Sequence, residues 1–288
     1  MPDTPLFSHG HLRIRACRHG LMLYTVHDIY IGQALDRYGE AFEDELSFLG
    51  QAVKPGMTVL DIGSHLGTHA VYFARQVGPT GRVLAFEPQP FLHHLLCANL
   101  ALNGLSWAHP RLCALGAEPG VVHVPVLDYA RPGNYGGLEL DPAAPAGAGT
   151  VAVPLARVDD LDLAACHFMK IDVEGMEAQV LRGAQDAIRR FRPLLYVENQ
   201  RPRNSAGLVS ALLALDLRLY WHFTPLWNPA NHFRDPENAY PHILSANLLC
   251  VPRERGATVL HLPEVAGPEE DWKTALARWT GDRPPGRP

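Results

Sequence analysis

The stretch "TVLDIGSHLGTHAVYFA", residues 58–74, decides the reading of this chain. An apolar run closes on an acid, Asp61, a glycine turn follows, and a helical pattern begins at once. A strand–glycine–helix of this kind holds nucleotide-like ligands, and the chemistry of the turn separates the candidates. Phosphate sites of the P-loop type need a lysine after the glycines, and Gly63-Ser64-His65-Leu66-Gly67-Thr68 has none. Dinucleotide sites need a middle glycine so that the backbone can approach a pyrophosphate, and His65 stands there. What remains is Asp61, two glycines four apart, and a second acid, Glu87, 24 positions after Gly63. A carboxylate there can accept both ribose hydroxyls of an adenosine without meeting a phosphate. S-adenosylmethionine fits that description: an adenosine, no phosphate, and a cationic sulfur that tolerates acids. The alternative is that Gly63 and Gly67 only permit a tight turn and close helix packing.

Outward from this core, strand and helix patterns alternate. "GRVLAFE" reads as the next strand and "PFLHHLLCANLALNG" as a helix stopped at Asn103-Gly104. "RLCALG" and "VVHVPV" are strand-like, and residues 129–150 form a Gly/Ala/Pro-rich loop. "FMKIDVE" and "PLLYVEN" are strands, each followed by a helical pattern, the first over "MEAQVLRGAQDAIRRF". "RLYWHF" and "ILSANLLCV" complete the set. Alternation of this kind predicts an α/β fold with a mostly parallel sheet covered on both faces. Residues 1–54 form an extension, with a hairpin around His19-Gly20 and a helix over "YGEAFEDELSFLGQAV". Residues 55–255 are the main domain, and 256–288 a partly disordered tail ending "GDRPPGRP".

Composition narrows the class. The chain has 288 residues, 47% of them hydrophobic, enough for one large core. Its 25 basic and 30 acidic residues give a formal charge of −5, which argues against nucleic acid as the partner. Five cysteines without a CxxC pair read as reduced thiols, and no apolar run reaches the length of a membrane span. A cytoplasmic enzyme is expected.

A second group of polar residues falls at strand ends. Lys170, Asp172 and Glu174 close one apolar strand, and Glu198 and Asn199 close the next. Ligands of open parallel sheets bind beyond these ends, so the acids should share a crevice with Asp61 and Glu87. Otherwise Asp172 caps the following helix, Glu174 favours its positive end, and Lys170 snorkels to the surface.

"VLDIGSHLGTHAVYFA", "VLAFEPQPF", "KIDVEGMEAQVLRGA" and "RPLLYVEN", in this order, resemble the FkbM family of S-adenosylmethionine-dependent methyltransferases. The likeness runs from about Tyr30 to Pro252 and includes "GQALDRYGE" and "SANLLCVP". It implies a class I methyltransferase (Rossmann-like) fold: seven strands, the last antiparallel, with helices on both faces. It also implies methylation of hydroxyls in natural products and glycans. Two departures stand out: Ser64-His65 where the family has Ala-Asn, and Gln200 where many members carry an acid.

From these readings the cofactor residues are Asp61, Gly63, Ser64, Gly67, Thr68, Glu87, Pro88 and Asp172. A hydroxyl acceptor needs a base, for which Asp172, then His222, are the candidates, with Glu174 beside them. His222 lies in the aromatic-rich "LRLYWHFTPLWNPANHF", whose rings suit a sugar face or simply cover the sheet edge. Tyr38, Glu40, Asn134, Tyr135, Glu198, Asn199 and Trp221 are assigned to the acceptor side. Asp172, Glu174, Glu198 and Asn199 also offer oxygen ligands to magnesium or calcium, a route to an ionised acceptor that is not the favoured one. An arginine group from Arg182 to Arg203 suits either an anionic substrate or a solvated face. The rival functions are an N-methyltransferase for a small amine, a non-catalytic binding module of the same fold, and a nicotinamide oxidoreductase.

Overall fold

The chain opens with a small antiparallel sheet: β1 (Phe7–His9), β2 (Leu12–Cys17) and β3 (Gly20–Thr25). The expected hairpin is present, turning at Arg18-His19. Helices α1 (Ile31–Tyr38) and α2 (Glu43–Ala52) follow. The single helix expected over residues 38–53 is wrong at its start, because Gly39 takes φ 70° and ends α1. Phe42 is also left-handed, at φ 51°, so α2 begins only at Glu43. These elements belong to a computed structural model that describes residues 4–256, 259 and 261–281.

The core comprises β4 (Thr58–Ile62), α3 (Thr68–Val77), β5 (Arg82–Phe86), α4 (Pro90–Leu102) and β6 (Ala108–Arg111). A second small sheet, β7 (Ala114–Leu115), β8 (Gly120–Pro125) and β9 (Thr150–Ala156), is spanned by the glycine-rich loop. Then come β10 (Phe168–Ile171), α5 (Glu177–Arg182), α6 (Gln185–Phe191), β11 (Leu194–Glu198) and α7 (Pro202–Leu213). The long strands β12 (Leu217–Pro225) and β13 (Leu244–Pro252) precede α8 (Trp272–Gly281). The helix expected over 176–191 is two helices. Gly183 sits where a Cβ would come within 2.0 Å of the Gly116 carbonyl oxygen, and the chain bends there. In the tail, Ala275 of α8 is fully buried, while residues 282–288 of "GDRPPGRP" lie outside the described residues.

The central sheet has seven strands in the order β12-β13-β11-β10-β4-β5-β6. All run the same way except β13, the last, which is antiparallel to both β11 and β12. This is the class I methyltransferase arrangement. Alternate side chains feed the two faces, as the period of a strand requires. Val59, Val83 and Ala85 join α2, α3, α4 and β3 on one face, whereas Leu60, Ile62, Leu84 and Phe86 join α5 to α8 on the other. Each fully buried Leu or Phe of these layers contributes about 1.5–3 kcal/mol. Strand order reverses between β4 and β10, which leaves a crevice beyond their carboxyl ends. Among the described residues, no helix is long and apolar enough to cross a membrane.

Candidate functional site

The glycine turn is built from steric necessity. Gly63 has φ 82°, and a Cβ on it would stand 1.7 Å from the Asp172 carbonyl oxygen. Its N–H and that of Ser64 both donate to the Phe86 carbonyl, at 3.0 and 2.9 Å. Gly67, at φ 95°, begins α3 against Leu96 Cδ1, which a Cβ would meet at 2.7 Å. Between them His65 is left-handed (φ 53°), and this turns its N–H onto Glu87 Oε2 at 2.8 Å. Gln89 N donates to Glu87 Oε1 at 2.9 Å. Burial nevertheless pushes the Glu87 carboxyl up to about 7.

Asp61 and Lys170 lie side by side on neighbouring strands. Asp61 is fully buried and neither carboxylate oxygen has a hydrogen-bond partner among the described residues. Lys170 Nζ lies 3.7 Å from Oδ1. Burial raises the Asp61 pKa and Lys170 opposes that shift. Lys170 Nζ also donates to Asp172 Oδ2 at 3.0 Å and to the Gly63 carbonyl at 3.3 Å.

Above these groups opens a cavity of about 430 Å³, within the ~300–1,000 Å³ of small-molecule sites. Its floor is the turn, Glu87, Lys170 and Asp172, with Thr68 and His69 from α3. Tyr30, Phe42 and Glu45 close it from the N-terminal side, and Asn134, Gly136 and Gly137 from the loop. A smaller apolar cavity of about 50 Å³ adjoins Glu87 and Pro88, walled by Phe86, Leu115, Leu138 and Met176.

One oxygen each of Asp172, Glu174 and Glu198 lies within 4.8 Å of the others. They do not converge by strand alternation, because β10 stops at Ile171 and Glu174 is left-handed at φ 56°. Arg201 binds two of them: Nη2 contacts Glu174 Oε2, and Nη1 lies 3.2 Å from Glu198 Oε2. Burial and then the Asp172 charge push Glu174 up to about 7, and the same causes raise Glu198 further from its ordinary value.

Several residues assigned to the site by sequence are elsewhere. His222 does not border the cavity; its Nδ1 is 2.8 Å from the Tyr196 hydroxyl and its ring packs on Phe48. Trp221, its neighbour on β12, necessarily faces the opposite side and donates Nε1–H to Glu270 at 3.1 Å. Tyr38 is buried, donating to the Glu237 carbonyl. Glu40 is occupied by Arg18, Asn228 and the His232 N–H. Tyr135 turns its hydroxyl to the Arg131 carbonyl, and Asn199 donates to Ser205 at 2.9 Å. Conversely, Glu45, His69 and Gln89 carry no site role in the sequence reading and all three line the cavity, as does Arg201, one of the arginine group that suits an anionic substrate. Only their position beside the turn and the strand ends signals them.

Residues 61–222, more than half of the chain, match the Methyltransferase FkbM domain. The chain belongs to the FkbM methyltransferase family. Methyltransferase sdnD of Sordaria araneosa is 28% identical over 186 residues, covering 54% of this chain and 71% of that protein. The 31-O-demethyl-FK506 methyltransferase FkbM of Streptomyces tacrolimicus is 27% identical over 192 residues, covering 57% and 73%. The crystal structure of Methyltransferase FkbM from Methylobacillus flagellatus KT is 18% identical with a TM-score of 0.42, covering 77% of this chain and 55% of that one. In this FkbM methyltransferase the matched segment begins at Asp61 and so takes in the glycine turn, Glu87 and the acids from Asp172 to Glu198.

Proposed function

We propose that this FkbM methyltransferase transfers a methyl group from S-adenosylmethionine to a hydroxyl of a sugar, glycan or secondary metabolite. The observation that carries the reading is the buried carboxylate of Glu87, which lines a cavity whose turn has no lysine, with Asp61 fully buried on the adjacent strand and outside that lining. An oxygen acceptor is supported by the relative named for 31-O-demethyl-FK506.

The residues fit an adenosine without a phosphate. Glu87 accepts one N–H on each oxygen, so each retains a lone pair for a ribose hydroxyl. The unpartnered Asp61 oxygens, with Ser64 and Thr68 at the turn, favour a cationic ligand portion. The apolar cavity beside Pro88 suits a flat aromatic base. When bound, S-adenosylmethionine supplies a methyl carbon on positively charged sulfur. The chain's part is to align an acceptor oxygen, exclude water and remove a proton; alignment supplies on the order of 7–11 kcal/mol in favourable cases. Asp172, at the cavity floor and held by Lys170, orients what enters from the acceptor side.

A divalent cation at Asp172, Glu174 and Glu198 is the weaker route, because it would have to displace Arg201.

Calorimetry with S-adenosylmethionine and S-adenosylhomocysteine tests the cofactor assignment. Glu87→Ala should weaken both by roughly 10- to 100-fold, the worth of charge-assisted hydrogen bonds. Methyl-label transfer to pooled sugars and metabolites, with and without chelator, then tests the acceptor. Wild-type protein that ignores millimolar S-adenosylmethionine sinks the reading.

A further inference from the structure

Glu45 and His69 form a pair that the reading above leaves unused. Glu45 lies on α2, ahead of the family-matched segment, and His69 in the first turn of α3. Glu45 Oε1 stands 2.8 Å from His69 Nε2. The Glu45 residue is 3% exposed, and its other oxygen accepts from Asn247 Nδ2 at 3.0 Å and from the Thr224 hydroxyl at 3.3 Å. Burial alone would raise this carboxyl. His69, and then Lys170 and His222, outweigh it and hold Glu45 below its ordinary value.

An ionised carboxylate fixed on three sides accepts and does not donate, so Nε2 of His69 carries the ring proton. In the neutral ring, that places the lone pair on Nδ1. This nitrogen has no hydrogen-bond partner among the described residues, and the ring borders the large cavity beside Gly63, Lys170 and Asp172. A buried carboxylate that orients one imidazole nitrogen and leaves the other free is the arrangement that makes histidine a proton acceptor.

We propose that His69 is the general base of methyl transfer and that Glu45 is its positioning residue. The inference rests on the methyl-transfer reading and names the group that takes the proton. The acceptor oxygen forms its new bond to the methyl carbon while the carbon–sulfur electron pair returns to sulfur. The hydroxyl proton passes to His69 Nδ1, and the imidazolium so formed is neutralised by Glu45. The other cavity groups are less suited. Asp172 is tied to the Lys170 ammonium, Glu174 and Glu198 to Arg201, and Glu87 to two backbone N–H groups. His222 lies outside the cavity wall. A pair that merely clipped α2 to α3 would have no need of an unpartnered ring nitrogen at the cavity surface.

Ring nitrogen NMR of the S-adenosylhomocysteine complex, assigned with His69→Gln, needs no acceptor. The expected state is a proton on Nε2 and a bare Nδ1; a neutral ring carrying its proton on Nδ1 overturns the proposal. In label transfer to the acceptor that the wild type methylates, His69→Ala should lose roughly 10²–10⁴-fold in kcat. Its S-adenosylhomocysteine affinity should stay within about twofold, and added imidazole should restore part of the rate. Wild-type turnover by His69→Ala overturns the base assignment alone. Failure of the wild type to bind S-adenosylhomocysteine removes the methyl-transfer reading itself, and the base with it.

Discussion

Lys170 shows how one side chain can organise a strand end. It is one of three lysines in the chain, 2% exposed, and it is placed between Asp61 on the adjacent strand and Asp172 two residues on. Without it, Asp61 would be a buried charge with no cation and no hydrogen bond. Lys170→Met should therefore cost about 3–5 kcal/mol in urea unfolding, the usual penalty for breaking a buried pair from one side. The Asp61→Asn/Lys170→Met double variant should recover much of that loss, since the only acid then left without Lys170 is the partly exposed Asp172. A single variant within about 1 kcal/mol of wild type would show that Asp61 is relieved in another way. The sequence marks Asp61, Glu87, Asp172 and Glu198 because an acid after an apolar run stands at a strand end whatever the packing. It does not mark Glu45 or His69 as partners. Their contact depends on where α2 lies against α3, and no local pattern encodes that. His222 misleads for the opposite reason: it sits among aromatic residues, yet the pleat of β12 aims it at Tyr196 and not at the cavity.

At the scale of elements, apart from β6 and β9, which no expected strand matches, the alternating units from β4 to β13 are legible because strand period, helix period and glycine turns agree. Two breaks are not, since each is imposed by a neighbour: Gly39 approaches Phe233, and Gly183 approaches the Gly116 carbonyl. The attachment of the N-terminal sheet is equally hidden. Asn99 on α4 and Asn103 just past its end act as a substitute strand for β3. Asn99 accepts from Leu23 N at 2.5 Å and donates to the Leu23 and Leu66 carbonyls, at 2.9 and 2.8 Å. Asn103 accepts from Leu21 N at 3.0 Å and donates to the Leu21 carbonyl at 2.7 Å. In sequence, "CANLALNG" reads only as a helix with a polar residue near its end. Because Asn99 is fully buried, Asn99→Ala strands three backbone groups and should cost roughly 3 kcal/mol or more. Asn103→Ala, at a half-buried site where water can substitute, should cost about 1 kcal/mol. Equal losses in the two variants, measured by chemical denaturation, would refute the substitute-strand account.

Over the whole molecule, three distant segments meet at Arg201. It joins Glu139 of the glycine-rich loop, Glu174 beyond β10 and Glu198 at the end of β11. The loop thereby lies across the strand ends and brings Asn134 and Gly136 to the cavity. The two inner acids make this junction sensitive to pH, and the sign follows from their raised pKa values. A carboxyl raised in the folded state contributes its full stability below the unfolded value, 4.5 for a glutamate, and loses it as pH rises through the folded value, about 7 for Glu174. Arg201 limits that loss by compensating the ionised forms. Arg201→Met removes the compensation, so it should cost little near pH 5, where Glu174 is protonated in the folded protein and Glu198 is shifted in the same direction. At pH 8 both must ionise unpaired or retain protons at a cost. The variant should then be less stable by on the order of 2 kcal/mol beyond its deficit at pH 5, below the figure for fully buried pairs because Glu174 is partly exposed. Urea unfolding of wild type and variant at both pH values gives the difference directly. A deficit independent of pH would mean that Arg201 stabilises through packing alone. A deficit that grows with pH would mean that the acids at the sheet's rim depend on one arginine, and that the loop over the cavity is held by the same charge.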